Sequence, residues 1–411
     1  MSYSDTVETQ TANSLAAKLA LFAIFAAFVV IAFGAFTRLA DAGLGCPDWP
    51  TCYGYVLWPE TEAQIQQANA IYAETPVESD KTWPEQVHRL FASSLGFIAL
   101  LLFGFAFRQS KDKQQKLIMS TVVGCLLLAL VIKIALKMQW DYGAEAMHDI
   151  YDVVAGLVVL AAFAVIAVCA KLFDSTPAAL KLSTFLVALV ILQGLFGMWT
   201  VTLKVWPQVV TLHLLGGFSV VSVIWILYQR LRGQHWQMPA LQLQQLTLVK
   251  PWAKLGLTVV VLQIALGGWT TSNYAAVACP DLPTCQSAWW PAMDFAKGFN
   301  ILQEIGPNYL GGQMENEARV AIHMAHRIGA IITSAFLLLL FVKLLAVKAE
   351  LVSRSAYIML FVLIAQLVLG LSNIIFHFPL NVAVLHNAVG AVLLLVLVNL
   401  NYRLASAQAQ P

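Results

Sequence analysis

The stretch CPDWPTC at residues 46–52 has a near copy, CPDLPTC, at residues 279–285. Six of the seven positions are identical. Each stretch is followed by an apolar segment that opens with a histidine–arginine pair, at residues 88–89 in one case and 326–327 in the other. A motif that recurs together with its downstream partner indicates an internal duplication. The two halves of the chain are therefore expected to share one structural plan.

A second repeated pattern extends the duplication towards the end of each half. Gln193, Gly197, His213 and Gly217 recur with the same spacings as Gln366, Gly370, His386 and Gly390. Residues 178–232 thus correspond to residues 353–405, and residues 115–172 have no counterpart. This insertion must be a pair of helices, since a single helix would put His213 on the wrong side of a membrane. The repeats run in parallel, about an axis along the membrane normal.

Composition places most of the chain in lipid. The 411 residues are 59% hydrophobic and 11% charged, with a mean hydropathy of +0.74, which is too apolar for a soluble domain of this size. The net charge of +2 gives no field that would attract nucleic acid. Ten stretches are long and apolar enough to span a bilayer, beginning near residues 16, 84, 115, 146, 179, 208, 251, 318, 354 and 381. We expect an all-α polytopic membrane protein with ten transmembrane helices, built as two fused, parallel-repeat four-helix bundles plus one inserted helix pair.

The distribution of basic residues predicts the orientation. If residues 1–15 are cytoplasmic, every loop rich in Lys and Arg is cytoplasmic, as the positive-inside rule requires. Both termini are then cytoplasmic, and the first apolar run is a retained span rather than a cleaved signal peptide. Segments 40–83 and 273–317 are external, so we expect the functional residues near the external face of a bacterial-type inner membrane.

Seven of the eight histidines lie near external helix ends under this topology: His88, His148, His213, His323, His326, His377 and His386. Taken singly, a histidine at a helix end more often caps a carbonyl or contacts a lipid headgroup. The duplication singles out the pair His88 and His213 and the equivalent pair His326 and His386. We therefore predict two bis-histidine haem sites, each within a helical bundle. Zinc or copper is not favoured, because no carboxylate or thiolate lies four residues further along the helix.

Two interpretations remain open for each of the other candidate residues near these histidines. Glu85 has His323 as its counterpart, so it is either a first-turn glutamate favoured by the helix dipole or a catalytic acid specific to one half. Arg89 and Arg327 either pair with haem propionates or anchor helices at the interface. The pairs Cys46–Cys52 and Cys279–Cys285 are predicted to be structural disulfides, with redox work by the first pair as the alternative.

The run TRLADAGLGCPDWP at residues 37–50, followed by Cys52 and by Glu85-x-x-His88-Arg89, resembles the haem A synthase family. The resemblance extends to QGLFGMWT at residues 193–200, and to His213, His326 and His386. It implies oxidation of the C8 methyl of haem O to the formyl group of haem A, by successive hydroxylation and loss of water. It also implies two fused four-helix bundles, with substrate haem in the N-terminal half and haem b in the C-terminal half.

Roles carried over by the resemblance are assigned residue by residue. His88 and His213 would ligate substrate haem, His326 and His386 would ligate haem b, and Glu85 would be the catalytic acid, assisted by Cys46 and Cys52, while Cys279 and Cys285 brace the other half. Partners would be a haem O synthase and the assembly of a terminal oxidase. The expected domains are residues 1–15 (cytoplasmic N-terminus), 16–232 (catalytic half), 233–250 (cytoplasmic linker), 251–405 (haem b half) and 406–411 (cytoplasmic tail).

The family pattern has eight spans, so the insertion at 115–172 is a departure. Its charged residues either snorkel or pair with one another, or the insertion contributes a partner-binding face or a third haem ligand. Ligation by His148 would put His213 in doubt as a ligand. Two rival functions share the same motifs. One is a dihaem electron carrier linked to a quinone, and the other is a thiol–disulfide oxidoreductase working through Cys46–Cys52. The sequence leaves open the electron acceptor, homo-oligomer formation and which haem occupies which half.

Overall fold

The computed structural model describes residues 3–140 and 178–409, together with the single positions 157 and 161. Helix is the expected conformation there, because a backbone in lipid has no water to bond and must satisfy its own polar groups. The helices are α1 (Tyr3–Leu39), α2 (Glu62–Ile71), α3 (Ser79–Gln109), α4 (Lys113–Trp140), α5 (Ala178–Thr202), α6 (Pro207–Leu231), α7 (Ala240–Ser272), α8 (Phe295–Gly298), α9 (Asn316–Leu345), α10 (Glu350–Ile375) and α11 (Leu380–Ser406). Two short strands, β1 (Gln237–Met238) and β2 (Gln408–Ala409), pair in parallel.

Eight helices in the described ranges are long and apolar enough to cross a membrane: α1 from Ser14 onward, α3, α5 from Ala179 onward, α6, α7, α9, α10 and α11. The predicted class, an all-α polytopic membrane protein, is confirmed. The prediction of ten spans is not. Helix α4 coincides with the predicted span that begins near residue 115. The span predicted near residue 146, with His148, lies outside the described residues.

The chain divides into two compact units. The first comprises residues 1–37, 42–202 and 219–233, and the second comprises residues 38–41, 203–218 and 234–411. Within the first unit, α5 packs against α3 and α4. Within the second, α7 and α10 each pack against both α9 and α11. Each of these four helices therefore has two of the others as neighbours.

Two helices begin earlier than the sequence predicts, and the prolines at their predicted starts lie inside them. Helix α3 begins at Ser79 rather than near residue 84, so Pro84 lies inside the helix instead of starting it. The Glu78 carbonyl accepts hydrogen bonds from the backbone N–H groups of Lys81 and Thr82, which extends the helix before the proline. Helix α7 likewise begins just after Pro239, eleven residues before the predicted span at residue 251. Hydropathy locates only the apolar part of a helix, whereas backbone hydrogen bonding continues into polar turns.

Prediction from Gly256. This residue of α7 is buried where α9 and α11 approach, and a Cβ atom there would lie 3.1 Å from Leu340 Cδ2 and 3.4 Å from Leu397 Cδ1. Gly256→Leu should therefore force neighbouring helices apart and destabilise the protein by about 1–3 kcal/mol. The matched control is Gly104→Leu, because apart from the nearby backbone of its own helix no described atom lies within 4 Å of a Cβ built there. Thermal unfolding in detergent should show a lower Tm for the first variant only, and equal Tm values would contradict the packing described.

Candidate active site

The two cysteine-containing stretches form loops of the same local design. Disulfide bonds join Cys46 to Cys52 and Cys279 to Cys285, which confirms the predicted pairing. Inside the first loop, the Asp48 carboxylate accepts hydrogen bonds from the backbone N–H groups of Tyr53 (2.5 Å) and Gly54 (2.8 Å). An aspartate that bonds to backbone N–H groups further along the chain stabilises a tight turn.

The second loop has the same kind of turn, in which Asp281 corresponds to Asp48 and the donors are different residues. The Asp281 carboxylate accepts from the backbone N–H groups of Gln286 (2.6 Å) and Ser287 (3.0 Å). These donors and the Thr284 hydroxyl, which also donates to Asp281, lower the pKa of this carboxyl group, the hydroxyl contributing most. The residues whose N–H groups bond to these aspartates all have left-handed backbone conformations, with φ between 52° and 80°. The duplication seen in the sequence is thus repeated in backbone conformation.

Tyr53 ties the first loop to the segment that follows α2. Its hydroxyl donates to the carbonyls of Thr75 (3.1 Å) and Pro76 (3.2 Å). Burial, together with the negative charges of Glu78, Asp48 and Glu85, raises the pKa of Tyr53 to about 12. The hydroxyl therefore stays protonated near neutral pH and remains a hydrogen-bond donor.

An arginine on the following helix holds each loop. Arg89 on α3 donates through Nη1 to the carbonyls of Asp48 (2.9 Å) and Thr51 (2.7 Å). Arg327 on α9 donates through Nη1 to the Thr284 carbonyl (2.8 Å) and through Nη2 to the carbonyls of Cys279 (2.8 Å) and Asp281 (3.0 Å). The planar guanidinium suits this work, because it presents several donors in fixed directions. Sequence reasoning missed this role, and the predicted pairing of both arginines with haem propionates stays a prediction.

Glu85 connects the first disulfide loop to the helix that bears His88. Its side chain is buried, with 4% of the residue exposed. One carboxylate oxygen accepts from the Cys46 backbone N–H at 2.9 Å, and the other pairs with Arg89 Nη2 at 2.5 Å. These charge-assisted bonds fix both oxygens. A single turn of α3 therefore carries a fixed buried carboxyl group and His88 on the same side of the helix.

In the second unit a buried histidine takes the place of this acid. His323 is 4% exposed, and its Nε2 accepts from Arg327 Nε at 3.4 Å. The loop is held by Arg327 without any carboxylate on α9 at that position. The two units therefore hold their loops in similar ways but differ in the side chain at this position, which is Glu85 in the first unit and His323 in the second.

Glycines on neighbouring helices make room for three of the predicted ligands. A Cβ atom on Gly34 of α1 would lie 2.8 Å from Cε1 of His88. Gly267 of α7 has the same relation to His326, at 3.2 Å, and Gly370 of α10 to His386, at 3.1 Å. Each imidazole thus lies close to a helix backbone, where a side chain would clash with it at Gly34 and crowd it at Gly267 and Gly370. Gly34 and Gly267 were missed in the sequence, although both lie twelve residues before the first cysteine of their loop.

Glutamine side chains contact the two histidines of the second unit. Gln263 Nε2 lies 3.0 Å from His326 Nδ1 and also donates to the His326 carbonyl at 3.0 Å. Gln366 Nε2 lies 3.4 Å from His386 Nε2. Gln366 was recognised in the sequence by its repeat with Gln193, but Gln263 was not, because its counterpart in the first half is Val30.

The predicted ligands divide between the two units. His326 and His386 belong to the second unit, on α9 and α11. His88 belongs to the first unit and His213 to residues 203–218, which are part of the second, so their pairing stays a prediction. Within the described part of the chain, no group of three or more His, Cys, Asp or Glu side chains could hold a bare metal ion.

Comparison with known proteins places these features in a family. A family model described as "Cytochrome oxidase assembly protein" (COX15-CtaA) matches residues 17–135 and 141–398. The chain belongs to this family. The match confirms the family resemblance carried by the cysteine loop and the histidine motifs. It also includes most of residues 115–172, so the inserted segment lies within the family match.

A relative in Shewanella oneidensis is similar to this chain over nearly the whole length of both proteins. This protein, named "Heme A synthase", is 37% identical over 374 residues, which cover 91% of the present chain and 92% of its own. The residues matched by the family model include both disulfide loops and all four predicted ligands, rather than one repeat alone.

Prediction from Arg327. Arg327→Met should leave three carbonyls of the second loop without their charged donor, at a cost of about 1.5–3 kcal/mol per bond, and so loosen the loop. The Cys279–Cys285 disulfide should then be reduced and alkylated faster under mild reductant, as measured by mass spectrometry. Lys297→Met is the matched control, because Lys297 pairs with Glu315 at the surface and does not contact the loop. Equal alkylation rates in the two variants would show that Arg327 does not hold the loop.

Proposed function

We propose that this protein is a haem A synthase, an oxidoreductase that converts a methyl group of haem O into the formyl group of haem A. Its membership of the cytochrome oxidase assembly family and its similarity to a protein named "Heme A synthase" along nearly the whole chain support this function. The observation that carries the assignment to particular residues is the asymmetry between Glu85 and His323.

Conversion of a methyl to a formyl group replaces carbon–hydrogen bonds with a carbon–oxygen double bond. With the oxygen supplied by water, the balance is R–CH₃ + H₂O giving R–CHO, four protons and four electrons. The protons need a nearby acceptor, and a positioned carboxyl group is suited to that task. Glu85 is buried and held at both oxygens, so its position relative to His88 on α3 is defined. We assign proton transfer to Glu85 and the reaction to the N-terminal half.

The substrate haem is assigned to His88 and His213 on the strength of the sequence pattern. His88 lies against Gly34, which leaves its ring close to the backbone of α1. Cys46 and Cys52 assist in this half, since the Cys46 N–H bonds directly to Glu85 and the disulfide defines that loop. Arg89 and Arg327 remain candidates for the propionates in addition to their contacts with the loops.

A resident haem b in the C-terminal half fits the residues present. Imidazole nitrogen is a good axial ligand for haem iron, and His326 and His386 lie on two helices of the four that pack together. Each has a glycine backbone and a glutamine amide beside its ring. A bound haem supplies one-electron transfer. The role of Gln263 and Gln366 is to fix the direction of the two rings.

The remaining assignments extend the proposal to the cell. We infer a bacterial-type inner membrane as the location, and the distribution of Lys and Arg supports cytoplasmic termini. A haem O synthase would supply the substrate, and assembly of a terminal oxidase would consume the product.

Prediction from Glu85. Glu85→Gln keeps the size of the side chain but removes the carboxylate, so haem A formation should fall by at least about 100-fold while haem O remains bound. His323→Gln is the matched control at the equivalent position, and it should still form haem A. The measurement is acid extraction of pigment from protein purified out of a host that also expresses a haem O synthase, followed by chromatography. If the wild type itself yields only haems B and O, the protein is an electron carrier and the proposed function fails.

Prediction from His386. His386→Leu should remove one axial ligand in the C-terminal half, so the amount of haem B per protein should drop by more than half while haem O is retained. Asn387→Leu changes the next residue on α11 and should keep its haem B. Pyridine haemochrome spectra with chromatography quantify both haems. Full retention of haem B in the histidine variant would exclude this residue as its ligand.

A further inference from the structure

The chain between the second disulfide and α9 includes a segment, residues 286–309, that is bonded to the ends of two helices. Near its start, the Gln286 side chain donates through Nε2 to Asn316 Oδ1 at 3.3 Å. Further along, the Asp294 N–H donates to the Glu317 carbonyl at 3.2 Å. Asn316 and Glu317 are the first two residues of α9. The first part of the segment is therefore held at the end of that helix.

The second part of the segment is held at the start of α6. The Ile301 carbonyl accepts a hydrogen bond from Gln208 Nε2 at 3.0 Å, and the Tyr309 N–H donates to the Lys204 carbonyl at 3.1 Å. Helix α6 begins at Pro207, so both partners lie within one turn of its start. All of these residues belong to the second unit. Because it returns to helix ends at four points, the segment runs across them instead of projecting away.

The length of α9 indicates the depth of this segment in a bilayer. The helix has 30 residues and is a candidate membrane span. At a rise of 1.5 Å per residue it is about 45 Å long. A bilayer is about 40–45 Å thick when its headgroup regions are included. The first residues of α9 therefore lie in a headgroup region, and the segment that is bonded to them lies at the same level.

Four large apolar side chains of the segment are highly exposed. The exposed fractions are 74% for Trp289, 69% for Trp290, 68% for Ile301 and 84% for Leu302. The tryptophan pair lies between the two residues that bond to α9, and Ile301 is the residue that bonds to α6. Exposed apolar patches mark surfaces that contact membranes or other proteins.

The first disulfide loop has an equivalent exposed pair. In each loop, two exposed apolar residues follow directly after the short antiparallel bridge that closes the disulfide turn. In the first loop these are Val56 and Leu57, with exposed fractions of 75% and 48%. The Val56 carbonyl accepts from Gln86 Nε2 of α3 at 2.6 Å, so this pair also lies beside a candidate span. The exposed pair is therefore a feature of the repeat and not of one loop alone.

We propose that the segment 286–309 is anchored in the surface of the bilayer, with Trp289 and Trp290 among the lipid headgroups and Ile301 and Leu302 at the top of the acyl chains. Tryptophan is enriched at membrane–water interfaces, because its ring is apolar while its N–H still finds a polar partner. Aliphatic side chains of interfacial segments are buried at the boundary between headgroups and acyl chains. The anchor sets the height of the second disulfide loop above the lipid.

A charged pair between the two apolar pairs favours lipid over a protein partner. Lys297 is exposed and pairs with Glu315 at 2.7 Å. A protein that covered both Trp290 and Leu302 would also cover this ion pair, although Lys and Glu are depleted at the cores of protein interfaces. A bilayer surface can receive the apolar side chains and leave the charged pair hydrated.

The test measures the depth of single labels on the full-length protein in phosphatidylcholine nanodiscs. Trp290→Cys, Leu302→Cys and Lys297→Cys are made separately in a background with Cys125→Ser and Cys169→Ser. Each is labelled with a nitrobenzoxadiazole fluorophore, to which the cysteines of the two disulfides do not react. Lys297→Cys is the matched control, because it is an exposed position in the same segment. Fluorescence is compared between plain lipid and lipid with a nitroxide near the top of the acyl chain.

Insertion by roughly 5–10 Å, as for interfacial helices, would bring the labels at positions 290 and 302 to the nitroxide and lower their emission at least about 2-fold. The label at position 297 should be quenched much less. Because Leu302→Cys tests the anchor independently, the result does not depend on the folding of Trp290→Cys. If none of the labels is quenched, the segment lies in water, its apolar pairs are left for a protein partner and the proposal fails. Equal quenching at all three positions would also overturn it, because the apolar side chains would then not be the anchors.

Discussion

The backbone carbonyls of the disulfide loops need donors, and in each half one arginine supplies them. Arg89 and Arg327 follow His88 and His326 directly in the sequence, so the group that holds the loop and the predicted ligand are neighbours on the same helix. A guanidinium that satisfies two or three carbonyls removes freedom from both the loop and the first turns of the helix. The position of each histidine relative to its external loop therefore depends on this interaction, and the disulfide and the aspartate turn complete the same unit.

This shared framework explains how duplicated halves can hold different chemistry. Where the first half has Glu85, bonded to the Cys46 N–H and to Arg89, the second half has His323 beside Arg327. Where the second half has Gln263 against His326, the first half has Val30. In neither case does the exchange disturb the arginine's bonds to its loop. Because the loop is held independently of these positions, they are free to differ, and a division into a reacting half and an electron-carrying half is compatible with one fold.

Small residues allow membrane helices to approach closely, and three glycines do the same beside the predicted ligands. Gly34, Gly267 and Gly370 each bring a helix backbone close to an imidazole ring, so that a Cβ atom would clash at Gly34 and make an unusually tight contact at the other two. Charge has a separate place in the second unit. A cavity lined by Arg354 and Arg403 lies at the ends of α10 and α11 that are away from His386 and Gly370.

Hydropathy and repetition determined much of this protein before any coordinate was known. An apolar run of about 20 residues must be helical in lipid, so the membrane class and eight of the ten predicted spans were found from composition. The repeat selected four histidines, both cysteine pairs and Glu85. It could not assign Arg89 and Arg327 to loop carbonyls, start α3 before Pro84, or find Gln263 opposite His326. Spacing along a helix fixes which residues share a face, whereas the contacts of Arg89, Arg327 and Gln263 join segments tens of residues apart. Only the packing of one helix or loop against another decides which groups meet.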